Sequence, residues 1–340
     1  MRFPLLALLL VAAPLGAQTP DAVIPSDTAV RTGTLSNGLR YWIRQHPLPA
    51  DRLELRLVVR AGSIQEDADQ LGLAHFVEHM AFNGTTRFKK NDLVQYLESI
   101  GVRFGADLNA STSFDETVYI LPVPTDKPEL LERAFDILED WATGVRFDSA
   151  DVVGERGVVL GEWRSGLSAD KRAQDKEFPL LFQGSRYADR LPIGDTAILA
   201  RANPAPMQRF YRDWYRPDLM AVVAVGDVPV AKLEALIRDR FGKIPMPANP
   251  RPRVDAPIPE VPGTRVSIVT DPEFGGEQVE LLVRRPSHGP YRTEQDERRA
   301  LVNAIVSSIA GQRLSDIARR PETSFIGAGM GPMRLIRDVE

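Results

Sequence analysis

The chain has no cysteine among its 340 residues. Disulfides are excluded, and any metal must be held by histidine, aspartate or glutamate. Histidine is scarce as well, limited to His46, His75, His79 and His288. Neither charge sign dominates: 42 Lys and Arg face 46 Asp and Glu, a formal net charge of −4. That leaves no basic excess of the kind a nucleic-acid partner calls for. After residue 17 no apolar run approaches the roughly 20 residues a membrane helix needs, so no span is expected in the mature chain.

What is present reads as globular. Hydrophobic residues make up 43% and charged residues 26%, enough for sizeable cores under a solvated surface. The length favours about two domains. Residues 1–17 read as a signal peptide. Arg2 supplies the positive start, Leu5 to Ala13 is unbroken apolar sequence, and Pro14 to Ala17 ends in small residues. Export to the periplasm or the medium is expected. Residues 18–32 form a polar lead-in.

Asn37-Gly38 signals a hairpin turn entering a strand that ends near Arg44, and Leu53 to Arg60 reads as a buried strand. Leu71 to Phe82 is a helix-length apolar segment closed by Asn83-Gly84. Further helices are predicted over 91–100, 128–143, 149–167, 169–182, 204–215 and 230–241. Strands are predicted over 105–113, 117–123 and 221–225. Prolines at 245, 247, 250, 252, 257, 259 and 262 fix φ and remove amide donors, so 244–262 is expected as an extended linker. Strands at 265–269, 279–283 and 324–330 and a helix over 294–319 are predicted beyond it.

The predicted fold is α+β, a mixed or antiparallel sheet covered by helices. Residues 33–243 would form the first domain. Residues 263–340 hold too few elements for an equal second one, so an incomplete domain of similar type is expected there.

The chemistry concentrates at His75-Phe76-Val77-Glu78-His79. Residues four apart share a helix face, so His75 and His79 can aim two imidazoles at one metal. Glu78 lies on the same side, displaced, and can flank the metal without binding it. Two histidines, one carboxylate and an open position make a catalytic zinc site, and H-x-x-E-H is its inverted motif. The predicted helix over 149–167 offers Glu155 and Glu162, seven apart and on one face. Either could be the third ligand. Val152, Val153, Val159 and Leu160 would line its buried side.

Five segments together resemble the pitrilysin, insulinase and mitochondrial processing peptidase family, most closely its bacterial periplasmic zinc-protease branch. They are Gly72 to Thr85 (GLAHFVEHMAFNGT), Gly105 to Thr112 (GADLNAST) with Asp115 to Tyr119 (DETVY), Glu155 to Arg164 (ERGVVLGEWR), Trp214 to Pro217 (WYRP) and Val225 to Asp227 (VGD). The likeness runs from about Gly33 to the chain end. It implies one zinc per chain, held by His75, His79 and Glu162, with Glu78 as general base and Glu155 as an auxiliary carboxylate behind the ligands. Asn109 and Ala110 would align an extended peptide or unfolded protein by adding it to a strand edge. The implied activity is a metalloendopeptidase. Active relatives enclose substrate between two homologous halves, so a second half or subunit is an expected partner and the isolated chain should turn over weakly. The alternative is a non-catalytic zinc-binding or assembly subunit, a kind of member that usually loses part of the motif kept here.

Overall fold

The computed structural model describes residues 22–90, 92–103, 105, 109–284 and 292–336. The expected signal peptide, part of the lead-in, residues 106–108 of the predicted strand, and His288 lie outside the described residues. Two compact units result, Asp27–Glu280 and a smaller one formed by the remaining stretches at the two ends of the chain.

Among the described residues the larger unit is built on six strands: β1 (Val30–Thr34), β2 (Arg40–Gln45), β3 (Arg52–Val59), β4 (Asn109–Thr112), β5 (Thr117–Pro124) and β6 (Met220–Gly226). Their order is β1-β2-β6-β3-β5-β4. Only β2 and β6 run parallel; every other pair is antiparallel. The mixed sheet of the α+β expectation is therefore observed. β1 starts within the expected polar lead-in, runs two residues beyond it, and pairs with β2 across the Asn37-Gly38 hairpin turn.

Period-2 patterning sets the two faces. In β3, Leu53, Leu55, Leu57 and Val59 are buried, while Glu54 and Arg56 are exposed and bond to each other at 2.7 Å. One face thus meets water and the other meets helices. The helices are α1 (Leu73–Asn83), α2 (Asp92–Ser99), α3 (Pro128–Thr143), α4 (Ser149–Ser165), α5 (Ala169–Leu181), α6 (Thr196–Ala200), α7 (Pro204–Trp214) and α8 (Val230–Phe241). α1, α3 and α8 pack on the sheet, and α4 lies against α1 and α6.

Trp141 of α3 ties these layers together. It is fully buried, stacks on Tyr119 of β5 at 5.2 Å, and donates its indole N–H to the Ala81 carbonyl of α1 at 3.2 Å. Asp140 beside it accepts from Thr85 Oγ1 at 2.6 Å and from the Arg87 amide at 2.8 Å. The chain leaving α1 is thereby pinned to α3.

The proline-rich stretch has no regular element, as its missing donors dictate. It is nonetheless fastened to the larger unit. Gln65 exchanges two bonds of 2.9 Å with the Val254 backbone, and Arg251 pairs with Asp67 at 2.6 Å.

In the smaller unit, α9 (Glu294–Ala318) starts at a reciprocal capping box between Thr293 and Asp296. Val23 forms a bridge with Thr293. The strands predicted at 265–269, 279–283 and 324–330 do not form. Val266, Ile268, Val279 and Ile326 instead stand exposed. Alternating apolar residues make a strand only when a neighbour accepts the backbone bonds, and no neighbour does so among the described residues.

Candidate metal centre

The site begins with how α1 is started. Gly72 sits at φ 91°, a left-handed turn that favours glycine. A Cβ there would come within 2.9 Å of the Gly194 Cα. Glu66, fully buried, accepts from the amides of Gly72 at 3.0 Å and Ala74 at 2.8 Å. These are first-turn donors that the helix itself leaves unpaired. Burial pushes the Glu66 carboxyl up to about 8, against those amides and the charges of Arg190 and Arg186. His75 follows immediately, so its backbone position is set by this cap.

α4 is fixed in rotation by Arg156, whose guanidinium donates twice to the Ala202 carbonyl, at 2.8 and 2.6 Å. Val152 and Val159 are buried and Leu160 is partly so. Val153, expected inside, is 54% exposed, because the buried stripe of α4 is narrower than its apolar content. This rotation turns Glu155 and Glu162 toward α1.

The Nε2 atoms of His75 and His79 lie 3.2 Å apart. Glu162 Oε2 is 3.6 Å from the first and 3.3 Å from the second. A tetrahedral zinc with bonds of roughly 2.0–2.2 Å sets its ligand atoms about 3.3–3.6 Å apart. The three edges of 3.2, 3.3 and 3.6 Å fall within about 0.1 Å of that range, so these residues fit a zinc ion. The Glu162 side chain is 50% exposed, which leaves the cluster open to solvent on its side.

Glu155 does something different. It accepts from His79 Nδ1 at 2.8 Å, and its side chain is only 13% exposed. That bond puts the ring proton on Nδ1 and leaves the Nε2 lone pair for a metal. Burial opposes a charge on His79, but the hydrogen bond and charge of Glu155, with Glu78 and Glu162, raise it above the ordinary histidine value. Burial, and then His79, push His75 down to about 4, so it is neutral at neutral pH. Its Nδ1 is buried without a protein partner among the described residues.

Glu78 faces the cluster from the same helix and is 7% exposed. Burial pushes its carboxyl up to about 7, opposed by the Thr112 hydrogen bond and by His79. Thr112 Oγ1 donates to Glu78 Oε2 at 2.6 Å. The sequence reading gave Thr112 no role of its own; only a bridge between α1 and β4, formed across 34 positions, reveals it. Glu66 was missed too, although its partners, the Gly72 and Ala74 amides, lie only six and eight positions away.

Asn109 and Ala110 open β4, the strand at one end of the sheet order. The Asn109 carboxamide accepts from the Ala110 amide at 2.9 Å.

The helical layer thus gathers two imidazoles, a carboxylate from a second helix and a buried flanking carboxylate at one point, where His75, His79 and Glu162 could hold a metal ion. The chain belongs to the insulinase family, peptidase family M16. Residues 43–176 match the family model of that description, and residues 201–330 match that of the peptidase M16 inactive domain. It is 39% identical over 308 residues to the zinc protease PQQL-like protein of Arabidopsis thaliana, covering 90% of this chain and 32% of the relative. Identity to the probable zinc protease PqqL of Escherichia coli is also 39%, covering 91% of this chain and 33% of that protein. The crystal structure of the first half of the periplasmic protease PqqL from Escherichia coli superposes with a TM-score of 0.79 at 33% identity, covering 94% of this chain and 68% of that one. The chain spans about a third of the length of these curated relatives. No helix among the described residues is long and apolar enough to cross a membrane.

Proposed function

We propose that the chain carries the catalytic centre of a zinc-dependent metalloendopeptidase acting on extended peptides or unfolded proteins. The observation that carries this reading is the triangle of His75 Nε2, His79 Nε2 and Glu162 Oε2, with edges of 3.2, 3.3 and 3.6 Å, flanked by the Glu78 carboxylate. One zinc per chain would sit on that triangle. When bound, zinc acidifies water and polarises a peptide carbonyl.

The residues of the chain do the rest. Glu78 takes the water proton on a carboxylate oxygen and later gives it to the leaving amine, the general-base and general-acid roles of one group. Burial holds its proton affinity near neutrality, which suits both transfers. Glu155 keeps His79 in the tautomer that offers Nε2. An extended substrate would add to β4 beside Asn109 and Ala110, where main-chain hydrogen bonds give sequence-tolerant affinity. The Asn109 carboxamide now on the Ala110 amide would give way to the substrate carbonyl.

Export to the periplasm fits the apolar leader in the sequence and the periplasmic relative. A second homologous half or subunit would close over the half-exposed Glu162, and turnover without it should be weak. Replacing Glu78 by Gln tests the reading. Zinc content should stay at the wild-type level while peptide hydrolysis disappears. Hydrolysis at the wild-type rate in that variant would exclude Glu78 as the base.

A further inference from the structure

We propose that Thr112 is the positioning residue of Glu78, and that through it one strand holds both the base and the substrate in register. The inference rests on the reading of Glu78 as general base. An ionised carboxylate only accepts hydrogen bonds, and a hydroxyl has a single proton to give. Thr112 Oγ1 lies 2.6 Å from Glu78 Oε2 and 3.4 Å from Thr117 Oγ1. Thr117 gives its own proton to the Ala61 carbonyl at 3.0 Å. The Thr112 proton therefore goes to Glu78, over the shorter distance. Charge-assisted bonds of this kind are short and directional.

Glu78 needs such a partner. Its side chain has three rotatable bonds, and a base works only within hydrogen-bond reach of its proton. A misplacement of about 1 Å can cost about 100-fold in rate. Thr112 fixes Oε2 and so fixes which oxygen remains to meet the water. It also stands two residues beyond Ala110, on the same face of β4, which pairs only with β5 in the described sheet. A peptide added along β4 and the carboxylate that serves it would then be referenced to the same backbone. This gives the edge strand a second task that backbone pairing alone does not require.

The test uses Thr112→Val, which keeps the shape and loses the donor, and Thr112→Ser, which keeps the donor. In the zinc-loaded protein with a quenched fluorescent peptide, Thr112→Val should lower kcat about 10–100-fold. KM and zinc content should stay within about twofold, and Thr112→Ser should restore most of the rate. A wild-type kcat in Thr112→Val, or no recovery with serine, overturns the proposal. A second arm needs no turnover. Urea midpoints of the zinc-free protein are compared for Thr112→Val, Glu78→Met and the double variant. Non-additive midpoints support the hydroxyl–carboxylate bond, and additive ones overturn it. Glu78→Gln run alongside separates the two readings. If it hydrolyses peptide normally, the base assignment fails. If it is inactive while Thr112→Val is fully active, only the role of Thr112 fails.

Discussion

His79 Nδ1 and Glu155 Oε1 are 2.8 Å apart, and that bond determines which face of the imidazole is left for a metal. Glu155 and Glu162 look alike in sequence, two carboxylates two turns apart on α4. The first meets Nδ1 of His79 and the second meets the Nε2 pair. Glu155→Gln should therefore weaken zinc binding without abolishing it, by about 10–100-fold in Kd. Competition with a chromogenic chelator measures this. An unchanged Kd would contradict the orienting role.

Gly72→Ala should destabilise the protein and disturb the start of α1. The left-handed φ of 91° and the 2.9 Å approach of Gly194 both penalise a Cβ. A cost of about 1–3 kcal/mol is expected, read from urea unfolding. Zinc affinity should fall with it, because His75 lies three residues into the same turn.

Trp141→Ala should cost about 3–5 kcal/mol, the range for removing a fully buried large aromatic. It removes the stack on Tyr119 and the bond to the Ala81 carbonyl together. Equilibrium denaturation with near-ultraviolet circular dichroism would check both the loss of stability and the loss of the packed aromatic signal.

Stability should fall in acid through Glu234 on α8. Hydrogen bonds from Tyr41 at 2.6 Å, Arg238 at 2.7 Å and Arg31 at 3.3 Å pull its carboxyl down to about 2 from 4.5. A depressed carboxyl contributes stability above its unfolded value and loses it as pH falls toward the folded one. The window is therefore from 4.5 down to about 2. Both arginines are more than half exposed, so the effect should be modest and weaken with salt. Urea midpoints measured against pH should be flatter in this window for Glu234→Gln than for the wild type. Identical slopes would contradict the assignment.

Much of this was legible because it obeys local periodicity. The segment Leu53 to Arg60 was legible as a strand, though not as one with a wet face carrying Glu54 and Arg56, and His75 and His79 sat one turn apart. The seven-residue spacing of Glu155 and Glu162 put both on one face but could not say which met Nε2. That depends on the rotation of α4, fixed by Arg156 on the Ala202 carbonyl. Thr112 escaped notice because its partner, 34 positions away, is chosen by tertiary packing, and Glu66 because a loop carboxylate folding back onto the start of α1 follows no periodic pattern. Strand patterns at 265–269, 279–283 and 324–330 misled for the opposite reason: pattern is local, but a strand needs a neighbour. The Asn37-Gly38 hairpin turn was legible, but the polar sequence of β1 carries little apolar alternation, so its start at Val30 shows only in the pairing with β2.

The most direct measurement is the metal content of the purified wild type, of His79→Ala and of Glu162→Ala, by plasma mass spectrometry after dialysis against zinc-free buffer. One zinc per chain in the wild type and little or none in the two variants is the expected result. Zinc retained at one per chain in either variant, or absent from the wild type after loading, would contradict the three-residue centre on which the account rests.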